Sequence, residues 1–460
     1  MSSAASSSGS LNHVSFTVLP ALTGNTSEGT EWVNGESRLV KDNHGSGEIF
    51  GFRWSQSSST QVYLVASGDN GQSWRLVSAG AASTSGCIGK CSLFPGKIMS
   101  IAQDSTGKVH ALMGANDYSL SGGRYLEYYV RFKLNYDASK RLSGFNLEAV
   151  IPLPDHRRIS NVLSDLRGEI RVISYSGSES LMYVVNVTTV SGSSTQDIKV
   201  FVGRASTLSP ASTSDFVDLA GATGDSKVLD SCTYNMPSGG SYCTASPAFF
   251  STHNVTSTFA QNRSTNDIYV FIGPIEADYG VANDPSGQPE SARLRYIRLV
   301  WNGSAWIAAT PVVIATDNGS YLPLLFNAQS GANYAWLMYL HPDNGIVFGR
   351  VDANGYSTVT TPLNAKNHNG WGAFTVAPDD SKLWAIWNIS VINGANPQTA
   401  EAYWDGKSWN VYSDTGVTTG DNSGIGGVAG WNNGVAAILF RGTLLRSNPP
   451  IPEAAAIWGQ

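Results

Sequence analysis

One pattern recurs along the chain: a short apolar, β-prone run, a tight polar turn, then a second β-prone run. It reads SRLVKDNHGSGEIFGFRW from Ser37, GKIMSIAQDSTGKVHALMG from Gly96 and RRISNVLSDLRGEIRVISYSG from Arg157. It returns from Ser246, Leu322, Trp371 and Ser423, which makes seven copies. Each is a hairpin signature with Asp, Asn or Gly in the turn. Further paired runs follow, at Gln61–Ser78, Leu294–Thr310 and Ala400–Ser413. Four strands per unit and seven units predict an all-β fold, a single seven-bladed β-propeller over residues 13–460. The run HVSFTVLPA from His13 has no hairpin partner, and the last unit runs short of outer strands. The N-terminal strand is therefore expected to complete the last blade and close the ring, which removes exposed sheet edges. A pair of β-sandwiches is the alternative; the even repetition and the lack of a linker argue against it.

Composition narrows the function classes. Only 14% of the 460 residues are charged, against about 25% in an average protein. Net charge is -6 and no basic run appears, so nucleic acid is not expected as a partner. No apolar run approaches the roughly 20 residues that span a bilayer. The 48 Gly and 13 Trp suit a turn-rich β protein.

Four cysteines, Cys87, Cys91, Cys232 and Cys243, form two close pairs and suggest two local disulfides, although three connectivities are open. Zinc is a poor match to these spacings. Seven N-x-[ST] sequons, at Asn25, Asn186, Asn254, Asn262, Asn302, Asn318 and Asn388, point with the disulfides to a secreted, extracellular protein. Residues 1–12 are expected to be a disordered remnant where a leader has been removed.

Ser67–Trp74 reads S-x-D-x-G-x-x-W, with Trp301–Trp306 and Trp404–Trp409 as partial relatives. This resembles the Asp-box of the sialidase-like BNR-repeat propellers. There the box lies on an outer hairpin away from the ligand, so it marks fold rather than chemistry. Ser37-Arg38-Leu39-Val40 stands near the place of the sialidase R-I-P, with the Pro missing. Asp104–His110 looks like the D-x-x-G-x-[IV]-H stretch of the polysaccharide lyases in this group, which act on ulvan and on rhamnose–glucuronate ends of gum-arabic-type glycans. Ala115 and Asn116 stand where those lyases place another His.

A propeller binds its ligand on the face that carries the blade-to-blade entries and the loops after each second strand. Arg38, Arg53, Arg124, Arg158, Arg441 and Trp371 are the expected substrate-binding residues on that face, where clustered Arg favours a carboxylate and an aromatic face suits a sugar ring. His156, His341 and Tyr118, with His110 from the motif resemblance, are the acid/base candidates. The resulting expectation is a lyase that cleaves beside a uronic acid by β-elimination, on an acidic oligo- or polysaccharide such as the rhamnose–glucuronate ends of plant arabinogalactan. Two alternatives stand beside it. A sialidase-like hydrolase would draft Arg38, Tyr279, Glu276 and Asp117, and a lectin would bind without chemistry. No cofactor or metal ligand set is required, although a structural calcium would be compatible with the pattern. A monomer is expected.

Overall fold

A computed structural model describes the backbone of residues 15–18, 39–54, 61–69, 73–81, 91–117, 124–154, 167–191, 195–235, 255–274, 293–316, 323–341, 344–359, 372–389, 398–412, 425–432, 435–444 and 451–458, with side chains for a narrower set. The described elements are strands and one short 3-10 turn, Thr213–Asp215.

The first strand is β1 (Ser15–Val18). One sheet is β2–β5 (Leu39–Lys41, Ile49–Trp54, Gln61–Ser67, Arg75–Ala81), and the next is β6–β9 (Cys91–Gln103, Lys108–Asp117, Arg124–Tyr136, Leu142–Pro152). A third holds β10–β14 (Arg167–Tyr175, Ser178–Ser191, Thr195–Ala205, Phe216–Val217, Lys227–Asn235). A fourth holds β15–β19 (Val255–Gln261, Ile268–Pro274, Arg293–Trp301, Trp306–Ala308, Val312–Thr316). Two more are β20–β23 (Leu324–Ser330, Ala335–His341, Gly345–Asp352, Gly355–Val359) and β24–β27 (Gly372–Val376, Leu383–Ile389, Gln398–Trp404, Trp409–Tyr412). Finally β28 (Ile425–Asn432), β29 (Val435–Leu444) and β30 (Ile451–Trp458) pair in order, and β1 pairs antiparallel along β30. The first strand of each sheet is innermost and touches the first strand of the next, and β28 lies against both β24 and β2.

The expectation of a single seven-bladed propeller is corrected here: the packed ring is six-bladed. Six sheets, from β2–β5 to β24–β27, are the blades whose side chains pack against one another around the ring. The sheet of β1 and β28–β30 is defined by backbone pairing alone, since its side chains lie outside the described residues. Two of the six packed blades have five strands, because their fourth strand is broken: β13 and β14 share the edge of β12, and β18 and β19 share that of β17.

Burial explains the apolar runs. Phe50, Phe52, Leu64 and Ala66 face the second blade, while Ile49 and Val65 pack on the other side of the same sheet with Leu39 and Trp74. A strand buried on both faces has no polar side to alternate with. Turn chemistry explains the hairpins. Asp42, Asp104 and Asn262 each accept hydrogen bonds from backbone N–H groups of their own turn, as in Ser46 N to Asp42 Oδ2 at 2.6 Å and Lys108 N to Asp104 Oδ1 at 2.9 Å. The outer hairpins do the same. Asp69 accepts from Ser73 N, Asn302 from Ser304 N and Asp405 from Ser408 N, and Trp74 and Trp306 are buried beside two of these turns.

The third blade departs from the sequence reading. Its innermost strand is Arg167–Tyr175, and its turn is Ser176–Gly177, both at positive φ (52° and 74°). That is the backbone of a type I′ hairpin. The Asp165–Gly168 turn inside the run from Arg157 is not the hairpin turn. Tyr175 ends this innermost strand at the turn face and packs on Trp301 and Trp306. The cysteine side chains lie outside the described residues.

Candidate functional site

Antiparallel order fixes two faces. First-to-second and third-to-fourth turns lie on one; second-to-third loops and blade-to-blade entries lie on the other. At this second face the chain gathers Arg53 at the end of β3, Arg124 opening β8, Arg167 opening β10, Arg293 opening β17, His341 ending β21 and Arg441 near the end of β29. Arg38, Tyr118, His156, Arg158 and Trp371 lie outside the described residues, as do Glu276 and Tyr279. The side chains of Arg53, Arg124, Asp117, Arg167, Arg293 and Arg441 also lie outside them, so these residues are placed by backbone position and register.

Register divides these arginines. Arg124 stands opposite Asp117, and Arg441 opposite Glu453. Arg53, Arg167 and Arg293 stand opposite Tyr63, Asn186 and Thr316, which are neutral. Arg167 and Arg293 were not among the sequence candidates. Arg167 was absorbed into the misplaced hairpin of the third blade, and no local signal in the sequence marks Arg293 as the opening of a strand.

His341 is half-buried and opposes Gly345 in register. Its ring centroid is 6.3 Å from that of Tyr339. The Tyr339 hydroxyl lies 2.9 Å from that of Tyr356, which accepts from Thr358 Oγ1. Burial pushes both phenols up, so this pair stays protonated. Two ionisable groups that the sequence did not single out are buried close to the same face. Glu127 lies three residues into β8. Arg295 lies two residues into β17, is 1% exposed, and is pulled down by desolvation to a pKa of about 9. Among the described residues no cluster of three His, Cys, Asp or Glu side chains is placed to hold a metal ion.

The structure sets His110 apart from this face. It lies two residues into β7 from the Asp104–Gly107 turn, hence near the opposite face, and it is 0% exposed. Its Nδ1 is 2.8 Å from the Tyr129 hydroxyl. Its Nε2 is 3.2 Å from Asp104 Oδ2, too poorly aligned for a full hydrogen bond. Burial drives the His110 pKa down, more than the nearby Asp104 raises it. Burial also pushes Asp104 up, but the His110 imidazole beside it and hydrogen bonds from Thr106 and the Lys108 backbone outweigh it and hold the carboxyl at about 2. This trio ties a turn to the seam between the second and third blades, and no substrate can reach its imidazole in this arrangement.

No known family pattern and no curated protein matches the chain. Solved structures do resemble it in fold. An ulvan lyase bound to a GlcA(1-4)Rha3S fragment aligns with TM-score 0.47 at 10% identity, over 93% of this chain and 95% of that one. A phage phi92 endosialidase aligns with TM-score 0.41 at 11% identity, over 97% and 68%. AofleA from Arthrobotrys oligospora aligns with TM-score 0.42 at 8% identity, over 89% and 91%.

Proposed function

We propose that the protein is a secreted polysaccharide lyase that cleaves beside a uronic acid, with the rhamnose–glucuronate ends of plant arabinogalactan as the substrate class. The observation that carries this reading is the placement of Arg53, Arg167 and Arg293 at strand ends of one face, each with a neutral register partner. The turn face, by contrast, uses its carboxylates internally: Asp42, Asp69, Asp104 and Asp405 hold their own turns. Arginine at these positions suits a carboxylate-bearing ligand, because a guanidinium pairs with a carboxylate in two-point geometry.

β-Elimination needs three things. Arginine, from Arg53, Arg158, Arg167 or Arg293, neutralises the uronate carboxylate and lowers the cost of charge at C5. A base removes the C5 proton and an acid protonates the leaving O4; His341, His156 and Tyr118 are the candidates. His110 takes no part in this chemistry.

The test is to incubate the protein with glucuronate-ended glycans and follow the ultraviolet absorbance of an unsaturated uronate. Its appearance, and its loss in Arg167→Ala or His341→Ala, supports the lyase. New reducing ends without that absorbance would establish the hydrolase, and binding without turnover the lectin.

A further inference from the structure

The structure separates the N-x-[ST] sites by chemistry. Asn186 is buried on β11 and accepts from Ser257 Oγ. Asn262 is buried, and its Nδ2 donates to Asn333 O across the seam between the fourth and fifth blades. Neither amide nitrogen could carry a sugar without opening a blade seam. Asn302 differs. It is exposed on the hairpin between β17 and β18, and its Oδ1 accepts from Ser304 N and Ser304 Oγ, both at 3.0 Å, and from Ala305 N at 2.9 Å. The turn thus engages the amide oxygen and leaves Nδ2 toward solvent, with no protein acceptor among the described residues.

The neighbourhood supplies a reason for cover. The exposed large apolar side chains among the described residues are Val228, Ile307, Val312 and Val313. Three of the four lie on β18 and β19, the broken outer edge of the blade that Asn302 caps, and Ile307 is 51% exposed. From Trp301 to Thr316 there is no charged residue. Outer edge strands are normally protected against pairing by charge or by a covering element.

We propose that Asn302 carries an N-linked glycan that shields the β18–β19 edge, and that Asn186 and Asn262 do not. In the transfer, Asn302 Nδ2 attacks C1 of the first sugar of a lipid-pyrophosphate-linked oligosaccharide. The N–C1 bond forms, the C1–O bond to the pyrophosphate breaks, the lipid pyrophosphate leaves, and an amide proton is lost to a base.

The full chain is secreted from a yeast host, and the purified folded protein is deglycosylated by peptide N-glycosidase in heavy-oxygen water, which labels each former glycan site as Asp. The expected result is label at Asn302 in most molecules and none at Asn186 or Asn262. Asn302→Asp and Ser304→Ala should each remove the same glycan. Asp405 fills the equivalent place in another hairpin, so Asn302→Asp keeps the turn oxygen. Both variants should melt as the wild type does after deglycosylation, yet self-associate at concentrations where the glycosylated protein is monodisperse in light scattering. An unlabelled Asn302, label at Asn186 or Asn262, or variants as monodisperse as the glycosylated protein would overturn the proposal.

Discussion

The link between the fifth and sixth blades can be broken at one side chain. Asp380 is 9% exposed and adopts a left-handed φ of 64°. Its Oδ1 accepts from Trp336 Nε1 at 2.8 Å and its Oδ2 from Asn333 N at 2.6 Å, so one carboxylate holds a buried indole and a neighbouring turn. Replacement by Ala removes two hydrogen bonds to a charged acceptor, at about 1.5 kcal/mol net apiece, and strands Trp336 Nε1 in a dry wall. Ala in the left-handed region costs roughly another 1 kcal/mol. Asp380→Ala should therefore lose about 4 kcal/mol of stability. Asp380→Asn keeps one acceptor and tolerates the backbone, and should lose about 1–2 kcal/mol. Gly331 is part of the same latch: a Cβ there would lie 1.8 Å from Asp380 Oδ1. Gly331→Ala should be severe alone but much less than additive with Asp380→Ala. Urea unfolding followed by tryptophan fluorescence measures the four variants against the wild type. A loss below about 1 kcal/mol in Asp380→Ala, at unchanged slope, would refute the latch.

Acidification should weaken the protein in two stages. The His110 pKa lies below its unfolded 6.5, so the unfolded chain binds the extra proton first and stability falls as pH drops below 6.5. Asp104 is held at about 2 against 3.8, which contributes about 2 kcal/mol above pH 3.8 that is lost as pH falls toward 2. Urea midpoints against pH should lose the upper stage in His110→Gln and the lower in Asp104→Asn; an unchanged profile in both would reject the assignment. Initial rates should separate the two histidines: His341→Ala should abolish lyase turnover at unchanged melting temperature, whereas His110→Gln should lower the melting temperature and leave the rate of the folded protein within about twofold. Glu48 accepts from Arg75 and from Leu142 N across the first two blades. Glu48→Ala should cost about 2–4 kcal/mol in the same unfolding assay, because it leaves the buried Leu142 N–H unpaired and takes the counter-charge from a part-buried guanidinium that keeps only Leu142 O.

Much of the fold was legible because its determinants are local. Asp42, Asp104, Asn302 and Asp405 accept from backbone groups within four residues, so hairpin positions follow from turn chemistry. The third blade was misread where a type I′ turn of Ser176–Gly177 competed with a more conspicuous Asp–Gly stretch upstream. The broken outer strands were also invisible, since β13, β14, β18 and β19 take their place from pairing with β12 and β17 rather than from their own pattern. The site was less legible still. The D-x-x-G-x-[IV]-H motif brought His110 forward, but its burial between blades and its place near the turn face are tertiary facts.

An all-β repeat of short hairpins, with the residues that cap them, is written locally in the chain, because tight turns depend on contacts a few residues apart. Which strands share an edge, which residues stand opposite one another across a sheet, and which asparagines and histidines face solvent follow from the three-dimensional packing alone. Those properties depend on residues tens to hundreds of positions apart meeting at blade seams, where burial sets the chemistry of His110, Arg295 and Asn262 and no local pattern records it.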